Sequence, residues 1–193
     1  EIQAFVAYDS NVHPVGRIAG IINHRANEKW KTQNVRFGFF DFVDDLEVSS
    51  ALLEAVIQWG KERNTTSIQG PMGITDFDKE GMLIEDFDRL GSMNTYYNYA
   101  YYPQHMEALG YEKEVDWVQV RIQIPSEIPT KYARVARLSK EMFDLKVKKI
   151  TDKDITRGGY GHKIFQLLNT AYSPIFGFTE FTDRQIDDFI KMY

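Results

Sequence analysis

An α/β fold built on a mixed sheet is the class this sequence predicts, on three observations. Short β-rich runs crowd the first forty-odd residues: IQAFVAY at 2–8, VGRIAGII at 15–22 and VRFGFFDF at 35–42. An apolar stripe of helical period follows, with Val48, Leu52, Ala55, Val56 and Trp59 between residues 45 and 62. Residues 115–124 then alternate, with Val118, Val120, Ile122 and Ile124 on one face and Gln119, Arg121 and Gln123 on the other, the period of a half-buried strand. With 193 residues, 43% hydrophobic and 26% charged, the chain can bury a core without staples and is too apolar for general disorder.

In chain order, the Asp9-Ser10-Asn11 cluster and Pro14 join the first two runs as a hairpin, and a polar connection leads to the third. Asp44, with Glu47 three residues on, gives the 45–62 helix a capping-box start, and Asn64 gives it a stop. A short strand at Ser67–Gln69 closes on Gly70-Pro71. Residues 72–100 read as a long irregular stretch, a length that is uncommon unless functional. Pro103 suits the first turn of a short helix ending at Gly110. Beyond the alternating run, Pro125 and Pro129 bracket a linker, followed by a helix (131–142), a strand (145–150) and a helix carrying Ile164, Phe165, Leu168 and Tyr172. The last helix opens on a Thr182/Gln185 capping box and places Ile186, Phe189, Ile190 and Tyr193 on one face.

Composition excludes several chemistries. Without cysteine there are no disulfides, thiolate metal sites or cysteine nucleophiles, which fits a cytoplasmic address. No apolar run approaches the ~20 residues of a membrane span, so a soluble protein is expected. The chain opens with Glu1 inside a strand-like run and stops on an amphipathic helix, and the reading expects both ends to be trimmed.

Net charge is −5 and uneven: residues 76–88 hold six carboxylates and one lysine, and residues 131–153 hold eight Lys or Arg against three acids. The basic stretch reads as a solvated helix face, with an anion or a nucleic acid as the other candidates. No nucleic-acid module and no apolar run of spanning length is visible, so the expected partners include neither nucleic acid nor membrane.

Asp76-x-Asp78-x-Glu80-Gly81 begins like a calcium loop but continues with Ile84 and Phe87 where ligands are required, so it reads as a solvated acidic loop or as a rim attracting a cationic amine. Gly159-x-Gly161 reads as a helix-entry turn. The four histidines (13, 24, 105, 162) lack zinc spacing and no G-x-S-x-G elbow occurs, so neither metal nor triad chemistry is expected.

The element order β-β-β-α-β-α-β over residues 2–124 resembles the middle and end of the GNAT fold of N-acyltransferases, without its first strand and first two helices. VGRIAGIIN (15–23), RFGFFDFVDD (36–45), Gly70-Pro71, and YYNYAYY through EALGYEK (96–113) are similar to a bacterial subgroup of that superfamily. LNTAY (168–172) and GFTEFTDRQ (177–185) resemble the opening of a second GNAT repeat. The resemblance implies a GNAT-like core at 1–125, a linker and helix at 126–144, and the start of a second unit at 145–193.

It also implies transfer of an acyl group from acetyl-CoA or another acyl-CoA to a small-molecule amine, with the pyrophosphate on backbone N–H groups at the start of the 45–62 helix. The family's Q/R-x-x-G-x-G/A turn is replaced there by Asp44-Asp45-Leu46-Glu47-Val48-Ser49, whose carboxylates cap those amides and repel phosphate. Phe40, Phe42, Val48, Ser49 and Ser50 are the implied cofactor contacts. Counting back from Gly110, the family's tyrosine acid falls on Met106, and Tyr101, Tyr102 and His105 are the candidate substitutes. The two functional expectations are an N-acyltransferase, or a relic of one, and a non-catalytic binding module on the same scaffold. The tail at 145–193 is expected to pack on its own surface of the first unit, or else to cover the open sheet edge, in the same molecule or in a homodimer.

Overall fold

A computed structural model describes residues 1–92 and 95–192. It is a mixed α/β structure whose chain separates into two compact units. The first comprises Glu1–Val115 and Leu168–Phe181, and the second Asp116–Leu167 together with the chain from Thr182 onward.

The first unit contains one four-stranded sheet in the order β1 (Ile2–Tyr8), β2 (Pro14–Ile21), β3 (Asn34–Phe42), β4 (Ser67–Gln69). The first three strands are antiparallel neighbours, and β4 runs parallel to β3. The β1–β2 hairpin forms where expected, its turn tied by Asp9, whose Oδ1 accepts the N–H groups of Asn11 (2.9 Å) and His13 (2.8 Å). A short helix α1 (His24–Trp30) stands where a polar connection was expected. Only Ala26 of α1 is buried, so it shows no apolar period, and its local sign is the Asn23 cap on Ala26 N–H.

Helix α2 (Leu46–Lys61) lies on the sheet and buries Leu52, Leu53, Val56 and Trp59 against Ile18, Val35, Phe37, Phe40 and Phe42; Val48 is half-buried. Gly16 and Gly20 permit this approach, since a Cβ on either would meet the Leu52 or Trp59 side chain. Burying four such side chains is worth roughly 6–12 kcal/mol, against about 1 for the N-cap, so the stripe and not the cap fixes α2. The cap is Asp45 and not Asp44: its side chain accepts Glu47 N–H at 2.9 Å, which frees Asp44 for a partner on α3 (Tyr101–Ala108). Asn64 takes a left-handed conformation beyond the helix end.

The sheet ends at β4. Neither 115–124 nor 145–150 forms a strand; Val118 is 82% and Ile124 88% exposed. An alternating run becomes a strand only where another strand completes its hydrogen bonds, and among the described residues neither run pairs with one. Residues 168–181 instead cover the face of the sheet opposite α2. Phe178 is fully buried, Arg36 Nη2 donates to Gly177 O (3.2 Å), and Lys29 Nζ donates to Phe178 O (3.0 Å) and pairs with Glu180 (2.8 Å).

The second unit is helical among its described residues. It holds α4 (Thr130–Met142), α5 (Asp152–Thr156), most of α6 (Tyr160–Tyr172) and α7 (Asp183–Met192). A Thr151/Asp154 capping box starts α5, and the expected Thr182/Gln185 box precedes α7. Ile186 and Ile190 of α7 are buried, and Phe189 stacks on Phe165 at 5.6 Å. The expected contribution of Tyr193 to that face lies outside the described residues.

Candidate functional site

Between β3 and α3 the strand pairing fails in a particular way. β3 pairs with β4 only from Asn34 to Arg36, after which Met72 N–H takes the Phe37 carbonyl at 2.8 Å. Opposite β2 the register slips between Arg17 and Ala19, and Phe39 adopts φ +50°. Such a bulge inserts a residue and re-aims side chains. Here Phe39 turns outward while Phe40 and Phe42 stay in the core at 3% and 5% exposure.

The edge that β4 leaves free is closed by tyrosines. Tyr101 O–H donates to the Phe42 carbonyl at 2.6 Å, and Phe42 N–H donates to the Tyr102 hydroxyl at 3.4 Å. Burial, reinforced by the neighbouring Tyr102, pushes the Tyr101 phenol up to about 12, so at neutral pH it is a donor. His105 sits one turn further on, its ring 5.2 Å from that of Phe42, with Nδ1 2.9 Å from Ser49 Oγ and Nε2 3.0 Å from Asp44 Oδ1.

Six of the sequence-selected residues, Phe40, Phe42, Ser49, Tyr101, Tyr102 and His105, therefore converge. The line Ser49–His105–Asp44 has the spacing of a nucleophile, base and orienting carboxylate. Ser49, however, has no exposed surface and also faces the Leu46 carbonyl at 3.1 Å, so it clamps α3 to the start of α2. Val48 packs at the margin of the core and Ser50 is exposed on the next face of α2.

Two openings flank this cluster. One, of ≈10 Å³, lies against Phe39, Phe40, Tyr96, Asn98 and Tyr102, room for about one water. The other is an open groove of ≈350 Å³ lined by Ser50, Leu53, Ile57, Ile68 and Tyr111, a volume in the range of small-molecule sites.

The described residues of the 72–100 stretch are irregular, as expected, but the acidic segment at 76–81 is not simply a solvated loop. Asp78 ties it by accepting the N–H groups of Ile74 and Thr75 at 2.8 Å, and Asn98 holds it by bonding both backbone groups of Leu83. Asp76 and Glu80 are half-buried near Arg36, which is only 5% exposed. Burial first, then the charge of Asp76, pushes Glu80 up to about 7, with Arg36 opposing; burial raises Asp76 as well. Among the described residues Arg36 makes no ion pair, and Glu80 Oε1 is buried without a hydrogen-bond partner. An arginine inside the otherwise apolar and aromatic run VRFGFF was the available signal for this cluster.

By sequence the chain is similar to curated bacterial proteins, one of which carries an acyltransferase-like name. The chain is 28% identical to Protein YghO of Escherichia coli K12 over 95% of its length and 46% of that protein. It is 23% identical to a bacterial ceramide synthase of Caulobacter vibrioides over 99% of its length and 49% of that protein. The chain thus spans about half the length of the curated relatives it matches. No family profile and no solved structure matches it.

Proposed function

We propose that this chain belongs to a GNAT-like N-acyltransferase that moves an acyl group from acyl-CoA to an amine. The observation that carries the reading is the likeness to the bacterial ceramide synthase along almost the whole chain. A ceramide is a long-chain amine acylated on nitrogen, so the shared chemistry is amide formation.

The geometry supports roles for particular groups. The acyl arm would lie in the groove against Leu53, Ile57 and Ile68, with Ser50 and Glu54 supplying polar groups at its wall. The free edge of β3 near Phe42 offers one backbone donor and one acceptor to an amide-bearing ligand, which would displace the two tyrosine hydroxyls now bound there. Tyr101, neutral at pH 7, would in this reading give a proton to the leaving thiolate once its bond to the Phe42 carbonyl is released. The phosphates of the acyl-CoA stay away from the α2 N-terminus, because Asp45 already holds the Glu47 amide and Asp44 and Glu47 add like charge.

That same self-capped terminus favours a second reading, a binding module that has lost its cofactor. Titration calorimetry with acetyl-CoA and with a long-chain acyl-CoA separates the two. The transferase reading expects heat with at least the long-chain donor and its loss in Ile57→Arg, a half-buried groove position; no heat with either donor removes it in favour of the binding module.

A further inference from the structure

We propose that α4 is an interfacial helix that lies on the surface of a bilayer containing anionic lipid. This rests on α4 alone and is independent of the acyltransferase reading. No residue of Thr130–Met142 is buried. Even so, Tyr132 (65% exposed), Val135 (54%), Leu138 (40%) and Met142 (74%) fall on one side of the helix at spacings of three, three and four. Phe143, 67% exposed, continues that side past the helix end. A face of this kind is left in water only at a cost that a partner removes.

The charges identify the partner. Residues 131–153 carry a net +5 in a chain of net −5. On α4, Arg134 and Lys140 flank the two sides of the apolar stripe and Lys131 lies at its start; among the described residues none of the three has an ion pair. Long basic side chains beside an apolar stripe can bury their stems and lift their heads to phosphate, the arrangement of a helix lying in a lipid interface. A second copy docked face to face would bring these cations together, and a nucleic acid would leave the apolar stripe unused. The sequence-level expectation of no membrane partner stood on the absence of a spanning segment, which an interfacial helix does not need.

The test is co-sedimentation of the full chain with vesicles of phosphatidylcholine alone and of phosphatidylcholine with phosphatidylglycerol. Binding is expected to the anionic vesicles, to weaken with salt, and to be abolished by Leu138→Glu. The triple variant Lys131→Gln/Arg134→Gln/Lys140→Gln should lose about a hundredfold in affinity. Both variants should keep the parent's circular dichroism, since every altered side chain is exposed. Failure to sediment with anionic vesicles overturns the proposal, as does binding indifferent to both variants. A dimer seen by light scattering and dispersed by Leu138→Glu would also overturn it, assigning the face to a second copy.

Discussion

Replacing Glu80 by glutamine removes a carboxylate that the fold holds against its preference to ionise. The unfolded chain releases this proton near 4.5, whereas burial and Asp76 hold it to about 7 in the native state. The native state therefore binds more protons than the unfolded state between those values, so stability falls as pH rises through the window and levels off above about 7. At about 1.4 kcal/mol per tenfold change in proton affinity the full effect is about 3 kcal/mol, and access of water to the half-buried group reduces it to about 1–2. Urea denaturation at pH 5, 6, 7 and 8 measures it, provided the slope with urea stays constant. Glu80→Gln should match the parent near pH 5, exceed it by about 1–2 kcal/mol at pH 8, and lose most of the decline between. Parallel parent and variant curves across that range would show that Glu80 ionises normally and that the Arg36 cluster is open to solvent.

Lys29→Met should cost about 2 kcal/mol, read from the urea midpoint at pH 7, by leaving Glu180 without its cation. Burial alone would raise Glu180, but Lys29 and Ser173 outweigh it and hold the group down to about 2, so parent stability should fall as pH drops from 4.5 toward 2, and the variant, which keeps Ser173, should show a smaller fall. Gly38→Ala should destabilise by several kcal/mol, or prevent folding, because the new Cβ would collide with the Met72 carbonyl oxygen, which is backbone and cannot swing away; a neutral result would mean that the loop after β4 yields freely. His105→Ala should cost about 2 kcal/mol and speed hydrogen exchange in α3 more than in β1, and an unchanged exchange pattern would remove its role as a clamp.

The parts of the fold legible in the sequence were those in which a local pattern coincides with a complete local environment. The β1–β2 hairpin carries its turn residues between two β-rich runs, and α2 carries its stripe, so each could be read without knowing its neighbours. The run 115–124 has an equally clear period but no strand to pair with, and period alone cannot supply hydrogen bonds. Helix α1 failed in the opposite sense: it is fixed by the Asn23 cap and by contacts such as Lys29 to Phe178 O, 149 residues away, with no stripe of its own.

At the site, the aromatic residues were selected by type and position, yet the bond that organises them, Tyr101 O–H to Phe42 O, joins residues 59 apart. The sequence offers Asp44 as the cap, because the capping pattern tolerates a shift of one residue, and the structure shows its carboxylate on His105 instead. The sequence makes Asp76 and Glu80 a solvated loop or a cation-attracting rim, because carboxylates are usually exposed; the buried Arg36 near them is a tertiary fact.

The central claim is acyl transfer to an amine, and the most direct measurement is product formation. The full chain is incubated with a radiolabelled long-chain acyl-CoA and a long-chain amine, and the amide is separated by thin-layer chromatography. Labelled amide is expected that requires the protein, that falls at least tenfold in Tyr101→Phe while acyl-CoA binding by calorimetry is retained, and that falls together with binding in Ile57→Arg. Acyl-CoA binding without any amide above the protein-free control, or amide formation unaffected by both substitutions, would contradict it.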